Sequence, residues 1–303
     1  MRLYKALFLA LGATVAAAGS AGAGPFFFST GNPDGKMATA TRPGVGGKIE
    51  IESADDFVTT ATNTFITSAT FTGLITSTGG AVPTVGQVVV ELYHVFPKDS
   101  DVGRTSGPPT FSTPQVPTRV NSPSDVEFDD RKSSAGTLSF TTTVLNGGNP
   151  FTANNSVLNG INPKPGQTTM GEGPVTGVEV QFTVTFATPF DLPPDHYFFV
   201  PQVQVTGGEF FWLSAPRPIV PPGTAFPPGF TDLQSWIRNA NLDPDWLRIG
   251  ADIVGGNPAP TFNAAFSLTG NAVPEPASIT LLGSGVVGLL AAAGVRRRRG
   301  RTA

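Results

Sequence analysis

Residues 178–186 read VEVQFTVTF, and they alternate between apolar and polar side chains over the whole stretch. A period of two places every second side chain on the same face of a β-strand, so this stretch predicts a strand with one buried and one open face. Phe182 lies on the predicted buried face and Thr183 on the open face. We therefore expect a sheet that packs on one side against a second layer.

Further β patterns lie on both sides of this stretch, separated by segments rich in glycine and proline. They cover residues 48–52, 64–75, 86–96, 138–145, 196–205, 209–213 and 261–268. Short strands with turn signals between them predict an all-β fold, an antiparallel β-sandwich or jelly-roll-like ectodomain.

The connections between the strands carry three further expectations. We expect Gly207-Gly208 to form a tight hairpin turn between two strands. Residues 26–47 are rich in turn-forming residues and predict a leader loop with at most one edge strand. One short helix is predicted, with Asp232 as its cap and with Leu233, Trp236 and Ile237 on one face.

The composition of the middle of the chain limits the classes of function. Residues 24–273 carry 12 lysines and arginines against 21 aspartates and glutamates, a net charge of about −9. An acidic domain disfavours binding to nucleic acid or to anionic lipid. The 303-residue chain has no cysteine, which excludes disulfides, thiolate metal sites and a cysteine nucleophile.

The first residues of the chain predict a secretory signal peptide. Basic residues precede an apolar stretch at 6–18, and small residues follow it. These are the three parts of such a signal. We expect signal peptidase to recognise the small residues Ala21 and Ala23 and to cut after Ala23, so that residues 1–23 are removed and the general secretion machinery exports the rest.

An uncharged apolar stretch near the other end, residues 277–295, is followed by a basic cluster at 296–301. At a rise of about 1.5 Å per residue such a helix spans about 28 Å, close to the thickness of the hydrocarbon core of a bilayer. Basic residues stay on the cytoplasmic side, so we expect one C-terminal transmembrane helix. Its membrane stop consists of Arg296, Arg297, Arg298 and Arg299.

The residues directly before this span are Val273-Pro274-Glu275-Pro276. A Pro-Glu-Pro element, an apolar helix and an arginine cluster in this order resemble the PEP-CTERM sorting signal of Gram-negative bacteria. The resemblance covers residues 273–303. It implies that an exosortase, a membrane-embedded cysteine protease, recognises Pro274, Glu275 and Pro276 and removes the tail. It implies sorting and carries no information about the domain that is sorted, residues 24–272.

Catalytic motifs are lacking in the sequence. The two histidines, His94 and His196, lie in apolar strand patterns, and neither a Gly-x-Ser-x-Gly nor a His-Glu-x-x-His motif occurs. We interpret both histidines as structural or surface residues and expect the protein not to be an enzyme. A hydrolase is the least favoured of three hypotheses.

Acidic clusters at 55–56, 99–101, 125–130 and 243–245 are interpreted as solvated loops or turns. Calcium prefers carboxylate and carbonyl oxygens as ligands. Asp99 and Asp101 are therefore candidate calcium ligands, and we otherwise expect no cofactor and no metal site. The three tryptophans are interpreted as packing residues, with a sugar-binding platform as the alternative.

The favoured hypothesis is an exported, non-enzymatic cell-surface or extracellular-matrix protein that is associated with exopolysaccharide or biofilm. We expect it to be tethered in the inner membrane by its tail, processed by an exosortase and then placed at the cell surface or outside the cell. The alternative is a carbohydrate-binding β-sandwich module, with calcium as a stabilising ion. In neither hypothesis is nucleic acid a partner.

Overall fold

The computed structural model describes residues 23–78, 82–104, 116, 118–161 and 168–273. Within these ranges the strands are β1 (Gly24–Ser29), β2 (Ala38–Ala40), β3 (Ile51–Thr59), β4 (Asn63–Ser77), β5 (Thr84–His94), β6 (Asp129–Lys132), β7 (Leu138–Val144), β8 (Pro150–Ala153), β9 (Ser156–Val157), β10 (Val175–Leu192), β11 (Asp195–Thr206), β12 (Gly208–Ala215), β13 (Trp236–Asn239), β14 (Leu247–Arg248), β15 (Asn263–Ala264) and β16 (Phe266–Val273). Short 3₁₀ turns lie at Val102–Arg104, Ser133–Ala135 and Asn146–Gly148, and a π-helical turn lies at Ile249–Val254. The described part is all-β, as predicted.

The described strands form two sheets. The larger sheet has ten strands in the order β1-β16-β4-β12-β2-β9, with β10 pairing β4, β7 and β8, and with β15 pairing β12. The smaller sheet has six strands in the order β14-β13-β3-β11-β5-β6. Neighbouring strands in these described sheets are antiparallel except β2 and β9, which run parallel.

Phenylalanines fill the space between the two sheets. Phe71 of β4 and Phe182 of β10 stack with their ring centroids 5.0 Å apart. Phe199 of the smaller sheet stacks on Phe266 of the larger sheet, also at 5.0 Å. All four rings are at most 2% exposed. Because burying one such side chain contributes about 1.5–3 kcal/mol, this layer is a major source of stability.

The alternation in residues 178–186 reports burial as predicted from Val180 onward, whereas Glu179 on the predicted open face is only 6% exposed. Thr183 and Thr185 are exposed, and Val178 near the start of the strand is 37% exposed. The other apolar members of the pattern are all core residues, namely Val180, Phe182, Val184 and Phe186. The predicted buried face is thus confirmed over most of the stretch.

The predicted hairpin at Gly207-Gly208 is wrong. β11 before these glycines belongs to the smaller sheet and β12 after them to the larger sheet, so the chain crosses between the sheets here. Gly207 has a φ of +74°, and a Cβ on Gly208 would lie 1.9 Å from the carbonyl oxygen of Thr76. The two glycines permit the turn and the close approach to β4. However, β11 and β12 pair with strands that are distant in the sequence, so the local turn signal does not make them a hairpin.

The predicted helix at residues 232–237 is also wrong, because this segment leads into strand β13. Trp236 pairs with Ala54 of β3, and Ile237 pairs with Ser53. The side chains of Trp236 and Ile237 enter different apolar clusters on opposite sides of the sheet. This is the period of a strand, and pairing with β3 has overridden the helical spacing of the apolar residues.

Residues 26–47 contain more regular structure than the predicted leader loop. β1 pairs with β16, and the three-residue strand β2 pairs with β12 and β9. All three residues of β2 are buried. A strand of three small residues carries too little periodicity to be recognised in the sequence.

Across the described residues, no helix has the length and apolar character needed to cross a membrane. The predicted span at 277–295 and residues 1–22 of the predicted signal peptide lie outside the described residues.

Candidate functional site

The two ends of the described domain meet at one edge of the larger sheet. β1 begins at Gly24, which lies opposite Ala272 of β16, and the pairing continues to Ser29 opposite Ser267. Ala23, the predicted cleavage residue, is exposed directly before β1. Outside the described residues lie Ala21, Pro274, Glu275, Pro276, Arg296, Arg297, Arg298 and Arg299. The predicted processing signals of both termini therefore flank a single pair of strands.

A buried polar network covers the outer face of the smaller sheet, and Arg238 of β13 is its centre. Its Nη2 donates to Oε1 of Glu52 at 3.1 Å and to the hydroxyl of Tyr93 at 2.9 Å. Its Nε binds the second carboxylate oxygen of Glu52. Glu52, Tyr93 and Arg238 are each at most 5% exposed. The guanidinium group is thus the buried counter-ion of Glu52.

Arg238 also fastens two loops over the sheet. Its Nη1 donates to the carbonyl oxygen of Asp125 at 3.2 Å and to that of Pro244 at 3.3 Å. The guanidinium group lies over the ring of Trp246, 4.4 Å from its centroid. Such contacts give a buried arginine both hydrogen-bond partners and an aromatic surface.

Glu91 is the second acid of this network. It accepts a hydrogen bond from Nε2 of Gln202 at 3.4 Å and lies 3.3 Å from the hydroxyl of Tyr93. Burial, and then the charge of Glu52, raise the pKa of Glu91 to about 10. A neutral acid beside an ionised acid is the combination that glycosidases use. Here both carboxyl groups lie beneath loops, with Glu91 6% and Glu52 3% exposed, so we interpret the pair as structural.

Replacing Glu91 by glutamine is expected to stabilise the protein by about 1–3 kcal/mol at about pH 8. Folding keeps a proton on Glu91 that the unfolded chain releases above its ordinary pKa of 4.5. The wild type therefore loses stability as the pH rises from this value toward 10. Glutamine is neutral at every pH, so its advantage should vanish near about pH 4. Urea unfolding at several pH values measures the difference.

Glu172→Gln is the matched control, because the pKa of Glu172 is shifted in the opposite direction. Burial alone would raise it, but hydrogen bonds from the backbone N–H groups of Leu158, Gly160 and Asn159 lower it overall. The variant should lose about 0.5–1 kcal/mol at about pH 8, a small effect because the side chain is exposed. This loss should disappear in acid. Destabilisation by Glu91→Gln at about pH 8 would instead mean that folded Glu91 is ionised.

Asp55 and Asp56 are buried in β3, so their interpretation as solvated loop residues is wrong. Asp55 accepts hydrogen bonds from the N–H of Ala264 at 2.8 Å and from the hydroxyl of Ser235 at 3.0 Å. Asp56 accepts one from the N–H of Leu233 at 3.0 Å. Burial raises the pKa of both carboxyl groups. They fasten the segment before β13 to β3, where β3 changes its partner from β13 to β11.

Both histidines contact carboxylates inside the fold. Nε2 of His196 lies 2.5 Å from Oδ2 of Asp56, and burial lowers the pKa of His196 to about 4. His94 contacts Asp99 through Nδ1 and lies 3.4 Å from Asp195 through Nε2. Each imidazole thus links strands or loops of the domain, which supports the structural interpretation.

The candidate calcium ligands Asp99 and Asp101 already make contacts within the protein. Asp99 is bonded to His94, and Oδ1 of Asp101 accepts a hydrogen bond from the N–H of Gly103 at 2.8 Å. In the part of the chain that the structure describes, no group of three or more histidine, aspartate or glutamate side chains is arranged to hold a metal ion. Calcium binding at Asp99 and Asp101 stays a prediction.

All three tryptophans are packing residues, as predicted. Trp212, Trp236 and Trp246 are each at most 2% exposed. Trp212 lies between the sheets and donates from Nε1 to the carbonyl oxygen of Ala265 at 2.9 Å. Trp236 and Trp246 lie in the apolar cluster on the outer face of the smaller sheet. No tryptophan of the chain is therefore available as a sugar-binding platform.

Comparison with known families decides the role of the C-terminal segment. Residues 272–299 match the family model of the PEP-CTERM protein-sorting motif. The chain carries a PEP-CTERM sorting motif. This motif supports the sorting of an exported protein by an exosortase and implies a membrane-anchored or cell-surface location. No curated protein and no solved structure matches the chain.

The PEP-CTERM motif follows the folded domain without a linker. Its match starts at Ala272, whereas β16 ends at Val273. The last two residues of the strand therefore belong both to the sheet and to the sorting motif. The start of the motif therefore lies beside β1, because Ala272 pairs with Gly24.

Sequence reasoning missed the network around Arg238. Glu52, Glu91 and Arg238 come from three different strands, so their spacing along the chain gives no signal. One signal was present, since Arg238 follows the apolar residues Trp236 and Ile237. Residues two apart in a strand share a face, so Arg238 lies on the same face as Trp236. A charged residue on such an apolar face predicts a buried partner of opposite charge.

Proposed function

We propose that this protein is an exported, non-enzymatic cell-surface or extracellular-matrix protein with a β-sandwich, jelly-roll-like ectodomain. An exosortase processes its tail, and the released domain associates with exopolysaccharide or biofilm. The observation that carries the proposal is the PEP-CTERM motif at residues 272–299, which begins within the last described strand of a folded domain.

The absence of catalysis is supported by how the ionisable side chains are used. The histidines and the buried acids contact other side chains of the domain or its backbone, as described above. A cavity beside Trp212, lined in part by Ser53 and Ser214, has room for about one water molecule and is too small for a substrate. These groups stabilise the fold, and we assign them no reaction.

The partners follow from the two termini and from the charge. Signal peptidase and the general secretion machinery act on residues 1–23, and the inner membrane holds the tail until the exosortase acts. The net charge of about −9 over residues 24–273 disfavours nucleic acid as a partner. Calcium at Asp99 and Asp101 is not part of the main proposal, and titration of calcium into the protein tests it separately.

Replacing Pro274-Glu275-Pro276 with three alanines is expected to abolish release in a host that has an exosortase. The variant should accumulate at full length in the inner membrane, because the element that the protease recognises is gone while the apolar span remains. Immunoblots of membrane and released fractions measure this. The released wild type should begin at Gly24, which N-terminal sequencing determines.

The control is the same replacement at Pro163-Lys164-Pro165, another Pro-x-Pro element of the chain. This variant should be released like the wild type. Release of the Pro274-Glu275-Pro276 variant at the wild-type level, or equal release in a host without an exosortase, would contradict the proposed sorting.

The alternative function, a carbohydrate-binding module, needs a different surface from the one predicted. The tryptophans are buried. An observation that favours carbohydrate is the open face of the larger sheet, which is rich in hydroxyl groups and carries one exposed aromatic ring.

A further inference from the structure

Two rows of hydroxyl side chains cross the open face of the larger sheet. The registers of β7, β10, β4 and β16 align them from strand to strand. The first row consists of Thr141, Thr183, Thr70 and Ser267. The second row consists of Ser139, Thr185, Ser68 and Thr269. We call these two rows the hydroxyl face.

The hydroxyl face points away from the core. On the same strands, the neighbouring residues Phe71, Phe182, Val184 and Phe266 lie in the inter-sheet core. Because successive side chains of a strand point to opposite faces, the hydroxyl residues are directed outward. All eight are exposed or half-buried.

Several of these hydroxyl groups have no hydrogen-bond partner among the described residues. Thr70 and Ser267 bond to each other across the strands at 2.7 Å. Within the part of the chain that the structure describes, the hydroxyls of Thr141, Thr183 and Thr185 make no hydrogen bond. Each is therefore free both to donate and to accept.

The hydroxyl face is uncharged and ends in an aromatic ring. Neither row contains a charged side chain, although residues 24–273 carry a net charge of about −9. Phe27 of β1 lies opposite Thr269 and extends the second row. Phe27 is 57% exposed, more than the other exposed phenylalanines of the described residues, Phe230 at 40% and Phe128 at 37%, and such exposure is unusual for a large apolar side chain.

We propose that the hydroxyl face with Phe27 binds a neutral polysaccharide. The hydroxyls repeat about every 4.8 Å across the strands and about every 6.7 Å along them. A polysaccharide also presents hydroxyl groups at regular intervals, and each one both donates and accepts. The apolar face of a sugar ring fits the exposed ring of Phe27, so the surface combines an apolar contact with polar groups that fix orientation.

Charge and polarity separate this ligand from other partners. A charged polymer would find no opposite charge on the hydroxyl face, so it gains nothing there electrostatically. A stable protein interface needs a desolvated apolar centre, and Phe27 at one end of the rows does not form one. The proposal rests on the proposed export, because only an exported domain meets such a polymer.

The test is affinity electrophoresis of the full-length chain in a detergent without a sugar headgroup. The gels contain dextran, hydroxyethyl cellulose or galactomannan as neutral polymers, and alginate as the anionic one. We expect at least one neutral polymer to retard the wild type. The triple variant Thr141→Val, Thr183→Val and Thr185→Val should bind it about tenfold more weakly or worse, since three hydrogen bonds are lost. Phe27→Ala should weaken binding as well.

Two controls separate hydroxyl chemistry from folding. Serine at the same three positions keeps the hydroxyl groups and should retain binding. Thr84 and Thr206 form an exposed cross-strand pair in the smaller sheet, and changing both to valine should leave binding unchanged. Thermal unfolding of each variant checks that the fold is intact.

The proposal is overturned if no neutral polymer retards the protein, or if the valine variant binds like the wild type. Retardation by alginate alone would also overturn it. A change from dimer to monomer in the valine variant would assign the hydroxyl face to a second copy of the chain. Polysaccharide binding is measured on purified protein, so a failure to bind does not depend on whether an exosortase releases the domain. Release is measured separately, with the alanine variant of the sorting motif.

Discussion

Phe182→Asp is expected to unfold the domain. The ring of Phe182 is fully buried between Phe71 at 5.0 Å and Phe210 at 5.3 Å. Loss of a buried phenylalanine costs about 3–5 kcal/mol, and an unpaired carboxylate in the same place adds several more. The sum is comparable to the whole stability of a domain, about 5–15 kcal/mol.

Thr183→Asp is the matched control, one residue further along β10. Thr183 is exposed and pairs laterally with Thr70 and Thr141, so the new carboxylate meets water and no like charge. The cost should not exceed about 1 kcal/mol, the range of strand propensities. Circular dichroism and thermal unfolding of both variants measure the contrast. Similar melting temperatures would show that β10 does not separate core from solvent.

Arg238→Met is expected to destabilise the protein by about 3–5 kcal/mol, because it leaves the buried carboxylate of Glu52 without its counter-ion. Methionine keeps apolar contact with Trp246, so the loss reports the charge and the hydrogen bonds to Asp125 and Pro244. Urea unfolding gives the free energy. Tryptophan fluorescence, to which Trp246 contributes, reports whether the covering loops stay in place.

Two further variants decide how this loss arises. The double variant Arg238→Met and Glu52→Gln should recover a large part of it, since no buried charge is then left unpaired; Asp243, the other ion-pair partner of Arg238, is 54% exposed. Arg248→Met removes a partly exposed arginine from its pair with Asp252 and should cost about 0–1 kcal/mol. An equal loss for Arg238→Met and Arg248→Met would contradict a buried network.

The sequence predicts correctly those parts of the fold where the pattern within one strand is enough to identify its buried face. Phe182 and Thr183 show this, because alternation along β10 alone assigns their faces. The sorting tail is similar, since its residues are contiguous and physically distinctive. In both cases the signal is local, so no knowledge of distant partners is needed.

The wrong predictions concern residues whose role depends on a partner far away in the chain. Asp55 and Asp56 look like a solvated acidic pair, but Ala264 and Leu233 donate to them inside the fold. The apolar neighbours of Trp236 are spaced as in a helix, but Trp236 pairs with Ala54 of β3 and is therefore part of a sheet. The hydroxyl face was likewise invisible, because only the register between four strands brings Thr141, Thr183, Thr70 and Ser267 into a row.

The pairing of β1 with β16 also determines the order in which the fold is completed. Gly24 and Ala272 lie at opposite ends of the domain sequence, and closing so long a loop is entropically costly and slow. Until β16 arrives, β1 has no partner in the sheet and one edge of β4 is largely uncovered. If the chain is exported from its N-terminus, as proposed above, it would therefore stay incompletely folded during translocation. It closes its larger sheet only when the residues that adjoin the sorting motif have emerged.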